Sequence, residues 1–235
     1  MSFIYEDKSK LVKKVFNKVY DKYDLMNDIM SLGTHRIWKK NLISWINPSK
    51  NNKIIDVASG TGDIAKLCSE NTKRSCEITC VEPNEKMLLE GKKKLHYLNN
   101  LKWVLSSAEN LPFKDDTFDF YIISFGIRNV SNLNKSLDEA YRVLKNGGRF
   151  FCLEFSKVEN EILKGIYKKY SQIIPTIGKF IAGSAMPYEY LVHSIEKFHN
   201  QEEFAKKLVD RGFTSVEYRN LTNGIAAIHS GCKIE

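Results

Sequence analysis

The chain has 235 residues, 43% of them hydrophobic and 27% charged, and its 36 Lys plus Arg against 28 Asp plus Glu leave a net charge of +8. That is ordinary globular composition, and it excludes disordered, collagen-like and coiled-coil chains. The densest apolar run, Phe118 to Ile127, falls short of the roughly 18 residues a membrane span needs. Residues 1–50 hold ten Lys or Arg and five Asp or Glu, so +5 of the charge lies in the leading fifth. A basic segment of this kind suits nucleic acid, an anionic membrane surface or an anionic substrate, or is simply a solvated face. The five cysteines, Cys68, Cys76, Cys80, Cys152 and Cys232, form no Cys-x-x-Cys and have no His cluster near them, so no metal site is expected. Their odd number, with an acid-containing opening that lacks an apolar stretch, predicts reduced thiols in a cytoplasmic protein.

Apolar residues at three- and four-residue spacing (Leu11, Val12, Val15, Phe16, Val19) predict a helix over 8–22. Tyr23 to Trp38 shows no clean period, and Asn47-Pro48-Ser49 with Asn51-Asn52 marks a break. Beyond it, strands are expected over 53–57, 77–81, 101–105, 118–124 and 148–154. Helices are expected over 63–71, 84–95 and 133–144. The alternation is the signature of an α/β fold with a doubly wound, Rossmann-like parallel sheet and helices on both faces. Residues 160–212 read as helical with breaks near Pro175, Gly183 and Pro187, and 213–220 and 225–230 as a closing pair of strands. The organisation expected is a helical cap over 1–50 and a core over 51–235 carrying a helical insertion at about 160–212.

Chemistry concentrates where the first strand meets its helix, at Asp56-Val57-Ala58-Ser59-Gly60-Thr61-Gly62. Glycines there allow a tight turn and close approach of backbone to ligand, and ligands of such sheets bind beyond the carboxyl ends of the strands. Glu82 ends the second strand, 22 residues after Gly60, where an acid can accept from both ribose hydroxyls. A dinucleotide and S-adenosylmethionine both fit so far. The position of a third glycine is Ala65, and the helix opens with Asp63, an acid that repels a diphosphate but not a cofactor bearing a sulfonium and an amine. With Ser107-Ala108-Glu109-Asn110 able to meet an adenine edge, the order of pieces resembles class I S-adenosylmethionine-dependent methyltransferases.

Two longer signatures sharpen the resemblance. One is Tyr23-Asp24-Leu25-Met26-Asn27, then Met30-Ser31, His35 and Trp38; the other is Arg142-Val143-Leu144-Lys145, Gly147-Gly148, then Leu153-Glu154-Phe155-Ser156. Together with Ile123-Ser124-Phe125-Gly126-Ile127-Arg128-Asn129-Val130 and the ending 220–231, they are similar to the ubiquinone/menaquinone biosynthesis C-methyltransferases over nearly the whole chain. The resemblance implies methyl transfer from S-adenosylmethionine to a ring carbon of a polyprenylated benzoquinol or demethylmenaquinol. Asp56, Gly60, Thr61, Gly62, Glu82, Ser107, Ala108 and Ser124 are then the cofactor-binding candidates. Glu82 stands where that family usually has Asp, Ser107 where it has Asn or Asp, and Asn146 where Pro is common.

Methylation of carbon needs an electron-rich ring aimed at the methyl, and help for the phenolate that drives it. Arg128, permanently charged, is the candidate to stabilise that phenolate, and Asn129 to orient quinol or water. In the leading signature, Asp24 and His35 are further catalytic candidates, and Tyr23 and Asn27, with Arg128, are substrate contacts. The basic leading helix and Ile173, Ile174, Ile177, Phe180 and Ile181 are expected docking surfaces for a bilayer, since the tail is lipid. Other enzymes of quinone synthesis and a second copy of the chain are expected partners, and nucleic acid is not. Two rival readings stand beside this one: a cofactor-binding scaffold subunit without turnover, and an RNA methyltransferase suggested by the charge.

Overall fold

The protein is described by a computed structural model covering residues 8–19 and 23–234. Three helices precede the sheet: α1 (Lys8–Val19), α2 (Tyr23–Ser31) and α3 (His35–Ile46). The last two fill the stretch for which no element is predicted. Leu32 and Gly33, at φ 50° and 76°, turn the chain between them and reset the helical phase. Met26 and Met30 on α2, and Trp38, Leu42, Ile43 and Ile46 on α3, are each buried at helical spacing, but the two stripes are out of register.

The sheet has seven strands: β1 (Lys53–Val57), β2 (Glu77–Glu82), β3 (Leu101–Leu105), β4 (Phe118–Ser124), β5 (Leu144–Phe155), β6 (Thr214–Leu221) and β7 (Ala226–Cys232). Their order is β3-β2-β1-β4-β5-β7-β6. The first five are parallel, and β7 runs antiparallel between β5 and β6. The helices between them are α4 (Asp63–Asn71), α5 (Glu85–Lys94), α6 (Leu133–Val143), α7 (Glu161–Ala182), α8 (Met186–Lys197) and α9 (Gln201–Val209). The doubly wound α/β fold expected from the sequence is the fold observed.

Successive strand residues feed opposite faces, as a period of two requires. Ile54, Ile122 and Phe151 point to one core with Ile64, Cys68, Trp38, Leu42, Ile174 and Leu191. Ile55, Tyr121, Ile123 and Phe150 point to the other with Leu137, Ala140, Phe204 and Leu208. Each Ile, Leu or Phe among them contributes about 1.5–3 kcal/mol on burial.

Two differences from the expected elements are instructive. The helix does not break at Pro175, although proline removes a donor and crowds the preceding turn. Packing holds it straight through: Ile174 is fully buried, and Gly178 lies so close to Tyr188 that a Cβ there would stand 2.1 Å from the ring. Chain breaks do fall at Gly183, which caps α7 at φ 73°, and at Pro187 in the first turn of α8. The second difference is a further break before α9, set by a capping box of Asn200 and Glu203. Leading helices and insertion meet: α1 packs on α8, and α2 on α7. Trp38 Nε1 donates to Thr222 Oγ1 at 2.9 Å, tying α3 to the turn between β6 and β7.

Candidate active site

The crest of the sheet, where β1, β2 and β4 end side by side, carries an open cleft. Gly60, Glu82, Asn84, Ser107, Ala108, Phe125 and Asn129 line it, and Val12, Lys13 and Phe16 of α1 roof it. Glu82 is buried at the end of β2, with Oε2 accepting from the Gly60 amide at 2.8 Å and Oε1 from the Asn84 amide at 2.9 Å. Burial raises its pKa to about 7 against the pull of those two amides. Asn84 caps α5 and is met by α1, its Nδ2 donating to Asn17 Oδ1 at 3.0 Å.

The backbone at the crest is strained. Ala58 after β1 and Phe125 after β4 sit at φ 53° and 55°, where a side chain costs about 1–3 kcal/mol. Gly126 lets the two strand ends meet, since a Cβ there would lie 2.6 Å from that of Ala58.

A second, much smaller cavity lies behind the glycine turn, lined by Lys39, Asp56, Ser59, Thr61, Asp63 and Ser124. It shares Ala58, Gly60 and Phe125 with the main cleft, so the two adjoin at the strand ends and together make up the recess. Asp56 Oδ2, Ser59 Oγ and Ser124 Oγ are buried there without a hydrogen-bond partner. Burial raises the Asp56 pKa to about 8. Asp63 goes the other way: burial would push it up, but Lys39 at 2.8 Å and Lys94 at 3.1 Å hold it far below the usual carboxylate range.

Thus Asp56, Gly60, Thr61, Glu82, Ser107, Ala108 and Ser124 all face this recess. Gly62 does not: at φ 88°, its missing Cβ would strike Leu95 at 2.7 Å and Trp103 at 2.8 Å, so glycine there serves helix packing. Of the proposed catalytic groups whose side chains are described, only Asn129 lines the cleft, with Oδ1 accepting from Tyr190 OH at 3.0 Å. Arg128 is turned away into a buried ion pair with Glu154 at 2.7 Å. The same Nη1 donates to the Phe125 carbonyl at 2.7 Å, and Nε to Ser194 Oγ. His35 is buried, its Nδ1 2.9 Å from Ser31 Oγ and 3.6 Å from Asp28, and burial followed by Lys39 lowers its pKa to about 4. Asn27 is buried with an unpartnered Nδ2 and, like His35, borders neither cavity of the recess. The side chains of Tyr23 and Asp24 lie outside the described residues.

Sequence reasoning missed Lys39, Asn84, Glu154 and the roofing face of α1. For Lys39 a signal was present: with His35, Leu42 and Ile46 it lies on the buried stripe of α3, where an unpaired cation is excluded.

A family profile described as the ubiE/COQ5 methyltransferase family matches residues 4–233. The chain belongs to this family. Among its relatives, the ubiquinone/menaquinone biosynthesis C-methyltransferase UbiE of Rickettsia akari is 54% identical over 98% of this chain and 95% of its own. That of Rickettsia prowazekii is 52% identical over the same shares. Solved methyltransferases share the fold: a S-adenosylmethionine-dependent enzyme from Thermotoga maritima at a TM-score of 0.69, 20% identity, and 94% and 99% of the two chains. A phosphoethanolamine methyltransferase from Haemonchus contortus, in complex with S-adenosylhomocysteine, reaches 0.63 at 13% identity over 84% and 52%. This member of the ubiE/COQ5 family is a methyltransferase using S-adenosylmethionine, and its recess fits that cofactor. The recess offers a buried acid able to accept from hydroxyls, and oxygens of Asp56, Ser59 and Ser124 that lack a partner and suit a cationic donor.

Proposed function

We propose that the protein methylates a ring carbon of a polyprenylated quinol in ubiquinone or menaquinone synthesis. The observation that carries this reading is the 52–54% identity, over nearly the full length, to relatives named for that reaction. When bound, S-adenosylmethionine supplies an electrophilic methyl on a sulfonium. In this reading Glu82 holds the ribose, the Ser107–Ala108 turn meets the adenine, and Thr61 and Ser124 line the path to the crest. Asn129, at the mouth of the cleft, orients the quinol ring. Arg128 acts at one remove: by gripping the Phe125 carbonyl and Glu154 it holds the strained end of β4 against the cofactor cleft. The helices α1–α3 and α7–α8 form the cover under which water is excluded.

We also place the lipid surface on α7. Ile162, Ile166, Ile173 and Phe180 are exposed along it at helical spacing, and Lys164, Lys169 and Lys179 flank them. Ile174 belongs to the core, and the side chain of Ile181 lies outside the described residues. On α1, Leu11 and Val15 are occupied, packing with Tyr190. No helix among the described residues is long and apolar enough to cross a membrane, so contact is interfacial in this proposal.

The test is direct. The protein is incubated with methyl-labelled S-adenosylmethionine and each demethylated quinol, and the label is located in the product. Label on a ring carbon supports the reading; label on oxygen, or transfer to neither quinol, overturns it.

A further inference from the structure

Lys39 has a role that the established activity does not by itself assign. It comes from the leading helices, yet it lines the smaller cavity of the recess together with Asp56 and Ser124, its ammonium held by Asp63 at 2.8 Å. Its side chain is 8% exposed and is held by Asp63, which also binds Lys94. An ion pair alone explains Lys39 and Asp63. It leaves unexplained three buried oxygens in the same small cavity, those of Asp56, Ser59 and Ser124, that have no partner. The same small cavity is thus lined by a cation already in place and by acceptors with nothing to accept from. A ligand end satisfying both carries an anion and a cationic donor a few bonds apart, as an α-amino acid does.

We propose that Lys39 is the carboxylate-binding residue for the amino-acid end of S-adenosylmethionine, with Asp56, Ser59 and Ser124 receiving its ammonium. The inference rests on the cofactor assignment made above and adds to it a residue supplied by the cap. Asp63 then acts as a positioning residue that aims the Lys39 ammonium, with Lys94 completing its charge balance. Ala58, Gly60 and Phe125 line both cavities, so the Glu82 end and the Lys39 end of the site adjoin.

Calorimetry on the full chain, with S-adenosylmethionine and its decarboxylated analogue, tests this. The wild-type protein should prefer the carboxylate-bearing compound by about 10- to 100-fold, the worth of a charge-assisted hydrogen bond. Lys39→Gln should bind both compounds alike, at the wild-type affinity for the analogue, and Lys39→Arg should restore the preference. A Lys39→Gln protein that still prefers the carboxylate overturns the proposal. Wild-type binding of neither compound overturns the cofactor assignment as well. Should Lys39→Gln not fold, lysine side-chain NMR of the wild type decides: the Lys39 signal, identified by its loss in Lys39→Arg, should shift with S-adenosylmethionine and stay in place with the analogue. A shift of equal size with both compounds overturns the proposal.

Discussion

Glu82 and Asp56 face one recess with pKa values raised to about 7 and about 8 by burial. In the unfolded chain both are ionised well below neutrality, so between those values the folded state holds extra protons and stability falls as pH rises. His35 and His229, both lowered to about 4, work in the opposite sense, but only up to the ordinary histidine value of 6.5. The window from about pH 6.5 to 8 is therefore governed by the two acids. Thermal or urea unfolding of the free protein should lose roughly 2 kcal/mol across it. A cationic cofactor draws those protons off, so its affinity should rise over the same window and the stability loss should shrink. Affinity that is flat or falling from pH 6.5 to 8 would refute this. Glu82→Gln should weaken S-adenosylmethionine about 10- to 100-fold by calorimetry, since a neutral amide accepts more weakly than a carboxylate.

At the scale of the element, the 3-10 turn Ile127–Asn129 after β4 is held by the buried Arg128–Glu154 pair. Arg128→Met leaves Glu154 buried and uncompensated, which should cost about 3–5 kcal/mol. The double variant Arg128→Met with Glu154→Leu should recover most of that stability while methyl transfer stays low, because the Phe125 carbonyl has lost its clamp. Recovery of transfer along with stability would show that the pair serves folding alone. The same turn shows where sequence reading reaches its limit. Alternation of apolar runs with glycine turns made the parallel strands legible, because a strand buried on both faces leaves that mark in any sheet. The placement of the glycine turn and Glu82 at the crest was legible for a similar reason, since both lie at a strand end. Arg128 was not, because whether an arginine meets substrate or an acid depends on Glu154, 26 residues away on the neighbouring strand. α2 and α3 were hidden by their short length and broken phase, and the continuity of α7 through Pro175 by a contact with Tyr188 that no local pattern records.

For the whole molecule, the distribution of surface apolar residues matters more than the net charge. Ile162, Ile166, Ile173 and Phe180 are 54–85% exposed along one helix, an arrangement that favours an interface over open water. Vesicle flotation with anionic lipid should recover the protein with the membrane at low salt and less of it at high salt. Ile173→Ser with Phe180→Ser should lower the floated fraction several-fold with no change in melting temperature. Absence of wild-type protein from the vesicle fraction at both salts would end the membrane assignment and leave the chemistry of the recess untouched.

The roof supplied by α1 bears on the tempo of turnover. Two polar latches fasten it to the crest, Asn17 to Asn84 at 3.0 Å and the Lys8 ammonium to the Val130 carbonyl at 2.6 Å. With Val12, Lys13 and Phe16 over the cleft, the spent nucleoside should leave beneath that helix, and slackening the latches should belong to the exchange step rather than to bond-making. Steady-state rates should accordingly slow in glycerol or sucrose in proportion to viscosity, whereas a single enzyme-bound round should proceed at an undiminished pace.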